Sequence, residues 1–123
     1  MSLYESGQMY LETIYVLSQS QNHVRAIDVS EHMGYSKPSV SRAVSTLKKA
    51  GYLIVNEEGG LQLTDKGLEV AQTMYERHTV LTKLLMLLGV DEETATEDAC
   101  RMEHVISDKS FDAMKAHMDK YGR

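Results

Sequence analysis

Cys100, Glu103 and His104 fall in the run Ala99-Cys100-Arg101-Met102-Glu103-His104-Val105, and Cys100 is the single cysteine of the chain. Their i, i+3, i+4 spacing stacks all three side chains on one face of a helix. A thiolate, a carboxylate and an imidazole aimed into one space make a mixed soft and intermediate donor set for a divalent transition metal. The competing reading is a chance surface Glu-His pair beside a small buried thiol, the usual condition of a lone cysteine. The opposite face, Ala99, Met102 and Ile106, can pack on a core. Met9 and Glu12 are three apart and share a side of a helix, but a core Met beside a solvated Glu explains that pair equally well. His78, beside Tyr75 and Thr82, means little alone. His23, His32 and His117 have no partners at useful spacing and read as surface residues.

A second chemistry sits earlier in the chain. Ser36 is a helix N-cap with Pro38 in the first turn, where a missing N–H costs nothing. The helix it opens runs to Ala50 and stops at Gly51. Val40, Ala43 or Val44, and Leu47 point inward, leaving Ser39, Ser41, Arg42, Ser45, Lys48 and Lys49 outside. Serine hydroxyls and free N–H groups at a helix start can hold phosphates. Arg42 can read a guanine edge bidentately, and Pro38 and Ser39 offer small contacts suited to a thymine methyl. Ser36, Lys37, Pro38, Ser39, Ser41 and Arg42 are therefore the candidate DNA-contacting set.

The elements that must position these groups follow from periodicity and punctuation. Leu3 to about Ser20 reads as an amphipathic helix, with Tyr10, Ile14 and Leu17 at helical spacing. Ala26–Met33 is a short helix ended by Gly34. With the Ser36 helix it makes a helix-turn-helix. Leu53–Asn56 and Leu61–Thr64 flank Glu57-Glu58-Gly59-Gly60 as a β-hairpin, which after a helix-turn-helix is a wing. The acidic wing tip suits phosphate poorly, and a winged helix used for protein contacts is the alternative. Thr64 caps a long helix reaching Leu88 and ended by Gly89. Its apolar face, Leu68, Ala71, Tyr75, Leu81, Leu84, Leu85 and Leu88, is too broad for one small domain and reads as a dimer surface. Asp91 caps the helix bearing Cys100, and Ser107 or Asp108 opens a last one through Phe111, Met114 and Met118.

Composition narrows the classes. A chain of 123 residues is one domain, or a small domain plus a helical appendage. One cysteine forms no internal disulfide, which fits a reducing cytoplasmic setting. Val80 to Val90 is the best apolar run, too short for a membrane and interrupted by Lys83. Met1-Ser2-Leu3-Tyr4-Glu5 lacks a signal-peptide pattern. A net charge of −5 argues against an all-over basic nucleic-acid binder but permits a locally basic face. No His-Glu-x-x-His pattern or Gly-rich phosphate loop supports a metalloenzyme, and the expectation is a non-enzyme.

The chain resembles the diphtheria toxin repressor family of metal-dependent transcriptional regulators, including its manganese-responsive branch. The likeness covers nearly all of it. It is strongest in Met9-Tyr10-Leu11-Glu12-Thr13-Ile14-Tyr15, in Ser36-Lys37-Pro38-Ser39-Val40-Ser41 and in Asp98 to Asp108. The resemblance implies a mostly α fold with a small β-hairpin: a winged helix-turn-helix DNA-binding domain over residues 1–70, then a helical metal-binding dimerisation domain over 71–123. It places the main regulatory metal on Met9, Cys100, Glu103 and His104. A second ion of the manganese-responsive branch would fall on Glu12 and His78, sharing Glu103. The iron-responsive branch has a further Glu and His where this chain has Thr82 and Thr96, so that ancillary site is expected to be lost or weak. The SH3-like domain of longer relatives is expected to be absent. Met9 and Cys100 stand where manganese-responsive members carry carboxylates, and their soft sulfurs favour Fe(II), with Mn(II) next and Co(II), Ni(II) or Zn(II) able to bind in vitro. The implied output is a homodimer that binds a palindromic operator when loaded with metal and represses metal-uptake genes. A metal-blind winged-helix module, with Cys100, Glu103 and His104 purely structural, is the competing reading.

Overall fold

A computed structural model of the chain describes residues 5–122. Six helices and one two-stranded antiparallel hairpin follow in the order α1 (Glu5–Ser18), α2 (Ala26–Met33), α3 (Lys37–Lys49), β1 (Leu53–Val55), β2 (Leu61–Leu63), α4 (Asp65–Leu87), α5 (Glu92–Met102) and α6 (Asp108–Tyr121). They form two compact units divided between Gln72 and Thr73, within α4. No helix among the described residues is long and apolar enough to cross a membrane.

The first unit is a winged helix. Helices of 8 to 14 residues are marginal alone in water, so burial of an apolar face must hold α1, α2 and α3. The shared core is built from Tyr10, Leu11 and Ile14 of α1, Val29 of α2, Val40 and Leu47 of α3, Leu53 and Leu61 of the hairpin, and Ala71 of α4. Leu11, Ile14, Val29, Val40 and Leu53 are at most 1% exposed. Each such side chain contributes on the order of 1.5–3 kcal/mol. Gly34 ends α2 in the left-handed region at φ 72°, its N–H bonded to the Ser30 carbonyl, which turns the chain into α3. The Ser36 side chain accepts from the Ser39 N–H, and Pro38 lies in the first turn, as its sequence position predicts.

The hairpin pairs Leu53 with Leu63 and Val55 with Leu61. Asn56 builds its turn, its Oδ1 accepting from the N–H groups of Glu58 and Gly60. A third edge, absent from the sequence reading, joins the sheet where Arg25 bridges Gly60 and the Leu61 N–H donates to the Val24 carbonyl. The strands are one residue shorter than predicted at Asn56 and Thr64, because both side chains serve turns: Thr64 Oγ1 donates to the Gly51 carbonyl and accepts from the Gly67 N–H, capping α4.

The second unit holds α5, α6 and the part of α4 from Thr73 on. Its buried side chains are Met74, Leu81, Ala95, Ala99 and Phe111, together with Arg77 and Glu103. Asp91 caps α5 by accepting from the Thr94 N–H, which holds its carboxyl below the usual range. Ser107 caps α6 by accepting from the Ser110 N–H. Leu3 of the predicted first helix lies outside the described residues.

Gly67 is the tightest point of the first unit. A Cβ there would collide with the Tyr52 carbonyl oxygen, itself bonded to the Thr64 N–H. Gly67→Ala should therefore destabilise the first unit by about 1–3 kcal/mol despite the better helix propensity of alanine. Urea unfolding followed by circular dichroism reads this; a stabilised variant would mean the backbone can yield.

Candidate metal centre and nucleic-acid interface

In the second unit the carboxylate of Glu103 lies between two imidazoles. Its Oε2 is 3.1 Å from His78 Nδ1 and its Oε1 is 3.3 Å from His104 Nε2. The Glu103 and His104 side chains are at most 1% exposed, and that of His78 is 26% exposed. A buried carboxylate is costly unless partnered. A carboxylate with one oxygen toward each of two imidazoles is also a donor set that suits intermediate divalent ions. The residues present thus fit a metal.

One helix does not carry all of them. α5 ends at Met102; Glu103 is its C-cap, in helical geometry with its N–H on the Ala99 carbonyl, and His104 stands in the turn that follows. The physical reason is Ser107: its cap starts α6 only a few residues later, and the Val105 and Ile106 N–H groups both close on the Met102 carbonyl. Cys100 is half-buried in the last turn of α5. Met9 and Glu12 lie on α1 in the first unit, both half-buried. The Thr82 hydroxyl donates to the His78 carbonyl, and Thr96 is exposed.

The start of α3 carries the other candidate set. Ser36, Lys37, Pro38, Ser41 and Arg42 are exposed and Ser39 is half-buried. Ser36 Oγ donates to Ser39 Oγ at 2.9 Å, and Arg42 reaches the same oxygen at 3.4 Å. Ala26 and Ile27, at the start of α2, line a shallow groove with Lys37 and Ser41. The Tyr10 ring meets Tyr35 edge-on at 6.0 Å. Burial raises its hydroxyl pKa and Tyr35 adds to that, while Arg42 pulls it back. The wing tip, Glu57 and Glu58, is exposed and acidic.

Two arginines escaped the sequence reading. Arg25 is exposed at the N-cap of α2, beside the wing. Arg77 is buried, and its signal was position: with Met74 and Leu81 it makes an i, i+3, i+7 stripe on α4.

A winged helix followed by a helical unit with a buried Glu-His cluster defines a class of metal-responsive, DNA-binding transcriptional regulators. Residues 2–61 match the model of the iron-dependent repressor N-terminal DNA-binding domain, and residues 64–123 that of the metal-binding and dimerisation domain. The chain is 31% identical over 119 residues to an uncharacterised HTH-type transcriptional regulator of Methanocaldococcus jannaschii, covering 95% of each. It is 36% identical over 107 residues to the HTH-type transcriptional regulator MntR of Bacillus subtilis, covering 87% of this chain and 75% of that one. Among solved structures it is similar to a manganese-dependent transcriptional repressor in complex with manganese, at TM-score 0.84, 28% identity and 92% of this chain. The manganese regulator SloR aligns at TM-score 0.82, 27% identity and 97% of this chain. The chain spans about half the length of these two structures, 52% and 55%. It belongs to the diphtheria toxin repressor family of iron- or manganese-dependent repressors, whose members are transcriptional regulators.

The Ser36 side chain satisfies the Ser39 N–H at the α3 start. Ser36→Ala should cost about 1 kcal/mol of stability and loosen the Ser39 and Arg42 contacts. Thermal unfolding checks the first; an unchanged midpoint would mean that Pro38 and the core alone hold the helix start.

Proposed function

We propose that the chain is a metal-dependent transcriptional repressor that acts as a homodimer on a palindromic operator, with Fe(II) as its preferred metal and Mn(II) next. The observation that carries this is the Glu103 carboxylate with one oxygen facing His78 and the other facing His104. Cys100, one helical turn before Glu103, and Met9 and Glu12 on α1 complete the ligand set in this reading. Cys100, Glu103 and His104 with Met9 form one site, and Glu12 and His78 with a shared Glu103 form a second. The two sulfurs favour Fe(II) over Mn(II), and Co(II), Ni(II) and Zn(II) are expected to bind in vitro.

The metal supplies positive charge where carboxylates and a potential thiolate converge, and a cross-link between helices. Met9 and Glu12 tie the first helix to that centre. α1 shares its core with α2 and α3, so its placement fixes the recognition helix. Across a dimer this sets the separation of two such helices, which must match half-sites about one helical turn or a multiple apart. Of the apolar face expected to dimerise, Ala71 and Leu81 are buried within the chain, whereas Tyr75 and Leu88, with Met86 and Leu87 beside the latter, are exposed and suit the dimer contact. Arg42 and the serines at the α3 start then face base edges and phosphates, Lys37 adding charge. Metal and operator affinities are coupled reciprocally, by about 1–3 kcal/mol in a typical case. The ligands must lose protons to bind, so metal affinity falls as the pH is lowered. The genes controlled are those of metal uptake.

Fluorescence anisotropy on a palindromic operator, titrated anaerobically with Fe(II) and in parallel with Mn(II), tests the reading. Binding should rise with metal and reverse with chelator, and Glu103→Gln should abolish the rise while leaving the circular dichroism spectrum unchanged. Tight binding that ignores metal and chelator would leave a metal-blind DNA binder. Met9→Asp should move the preference toward Mn(II); an unchanged ranking of the two metals would remove Met9 from the ligand set.

A further inference from the structure

The proposed ligand set leaves one buried charge of the second unit unused. Arg77 is 6% exposed on the inner stripe of α4. Its Nη1 donates to the main-chain carbonyl of Glu103 at 3.1 Å and to that of Ile106 at 2.8 Å. Its Nη2 donates to the Asp108 carboxylate, and its guanidinium carbon stands 5.4 Å from the centre of the Phe111 ring. These acceptors span the turn from Glu103 to Asp108 that joins α5 to α6. A carbonyl at a helix end, such as that of the C-cap Glu103, lacks a partner within the helix, and here one guanidinium takes it together with the Ile106 carbonyl just before the α6 cap. The next residue on α4, His78, meets the carboxylate of the same Glu103. α4 therefore grips Glu103 at both ends, through its main-chain oxygen and through its side chain.

We propose that Arg77 is a positioning residue of the metal centre: it locks the turn from Glu103 to Asp108 before metal arrives and thereby sets metal affinity. This rests on the reading of Glu103 and His104 as ligands. Two observations separate it from a merely structural part. A buried cation is a poor stabilising device, because desolvation offsets its attractions and an apolar side chain of similar volume commonly serves as well. Arg77 Nε is also buried with no hydrogen-bond partner among the described residues, so the guanidinium is not a fully satisfied core group. What an apolar side chain cannot supply is a rigid fork of donors aimed at two carbonyls and a carboxylate of one turn.

The test compares the whole chain as wild type, Glu103→Gln, Arg77→Met and Asp108→Ala. Mn(II) and Co(II) affinities are measured by competition with a chelating indicator, the Co(II) absorption spectrum reports coordination, and thermal unfolding without metal reports the fold. Arg77→Met should bind both metals about ten- to hundredfold more weakly, with an altered Co(II) spectrum and a metal-free midpoint close to wild type. Asp108→Ala, which removes one anchor at an exposed position, should fall between the two. Wild-type affinity in Arg77→Met and Asp108→Ala, with Glu103→Gln weakened, would overturn the clamp and leave the metal reading standing. Wild-type affinity in Glu103→Gln would overturn both. A lowered metal-free midpoint with an unchanged Co(II) spectrum would make Arg77 a core contact only. Should Arg77→Met not fold, Asp108→Ala decides: unchanged affinity overturns the proposal.

Discussion

Burial of the Glu103 carboxylate is the constraint on which the second unit depends. An ionised carboxylate out of water costs several kcal/mol unless charge and hydrogen bonds compensate. Around it the apolar packing is thin: two of the buried side chains are alanines, Ala95 and Ala99, joined by Met74, Leu81 and Phe111. Such a core cannot tolerate an unpartnered charge at its centre. His78, His104 and, through the backbone, Arg77 converge on Glu103 from a helix and a turn far apart in sequence. The core of this unit is therefore a mixed one, in which a buried carboxylate and a buried guanidinium stand among five apolar side chains.

The first unit obeys a different logic. Its core cluster is apolar, and several of its polar groups act as punctuation at element ends. Ser36, Asn56 and Thr64 each satisfy backbone groups where a helix or strand begins or stops. This leaves the outward face of α3 free of structural duty. Ser41 and Arg42 are exposed there. A surface so released can be shaped by a partner, and the family's N-terminal domain is a DNA-binding domain.

The two units meet in the chain within α4, whose residues serve both. Ala71 closes the first core, while Met74, Arg77 and Leu81 are buried further along. α4 is a single helix of 23 residues, about 35 Å long.

Local signals legible in the residues were those with a short-range cause. Gly34, Ser36 with Pro38, Asp91 and Ser107 marked helix ends correctly, because caps and left-handed residues act within a few positions. The hairpin was legible from its Gly-Gly turn and flanking apolar runs, and the family from three long motifs. Tertiary structure decided the rest. It ended α5 at Met102 and put His104 in a turn, since the nearby Ser107 cap left no room for the helix to continue. It joined Val24 and Arg25 to the wing, through pairing between segments some 35 residues apart that no local pattern announces. It also gave Arg77 its place, because the acceptors of a buried guanidinium lie 26 to 31 residues away. Caps and turns are settled by neighbours in sequence, whereas the partners of a buried charge are settled only by folding.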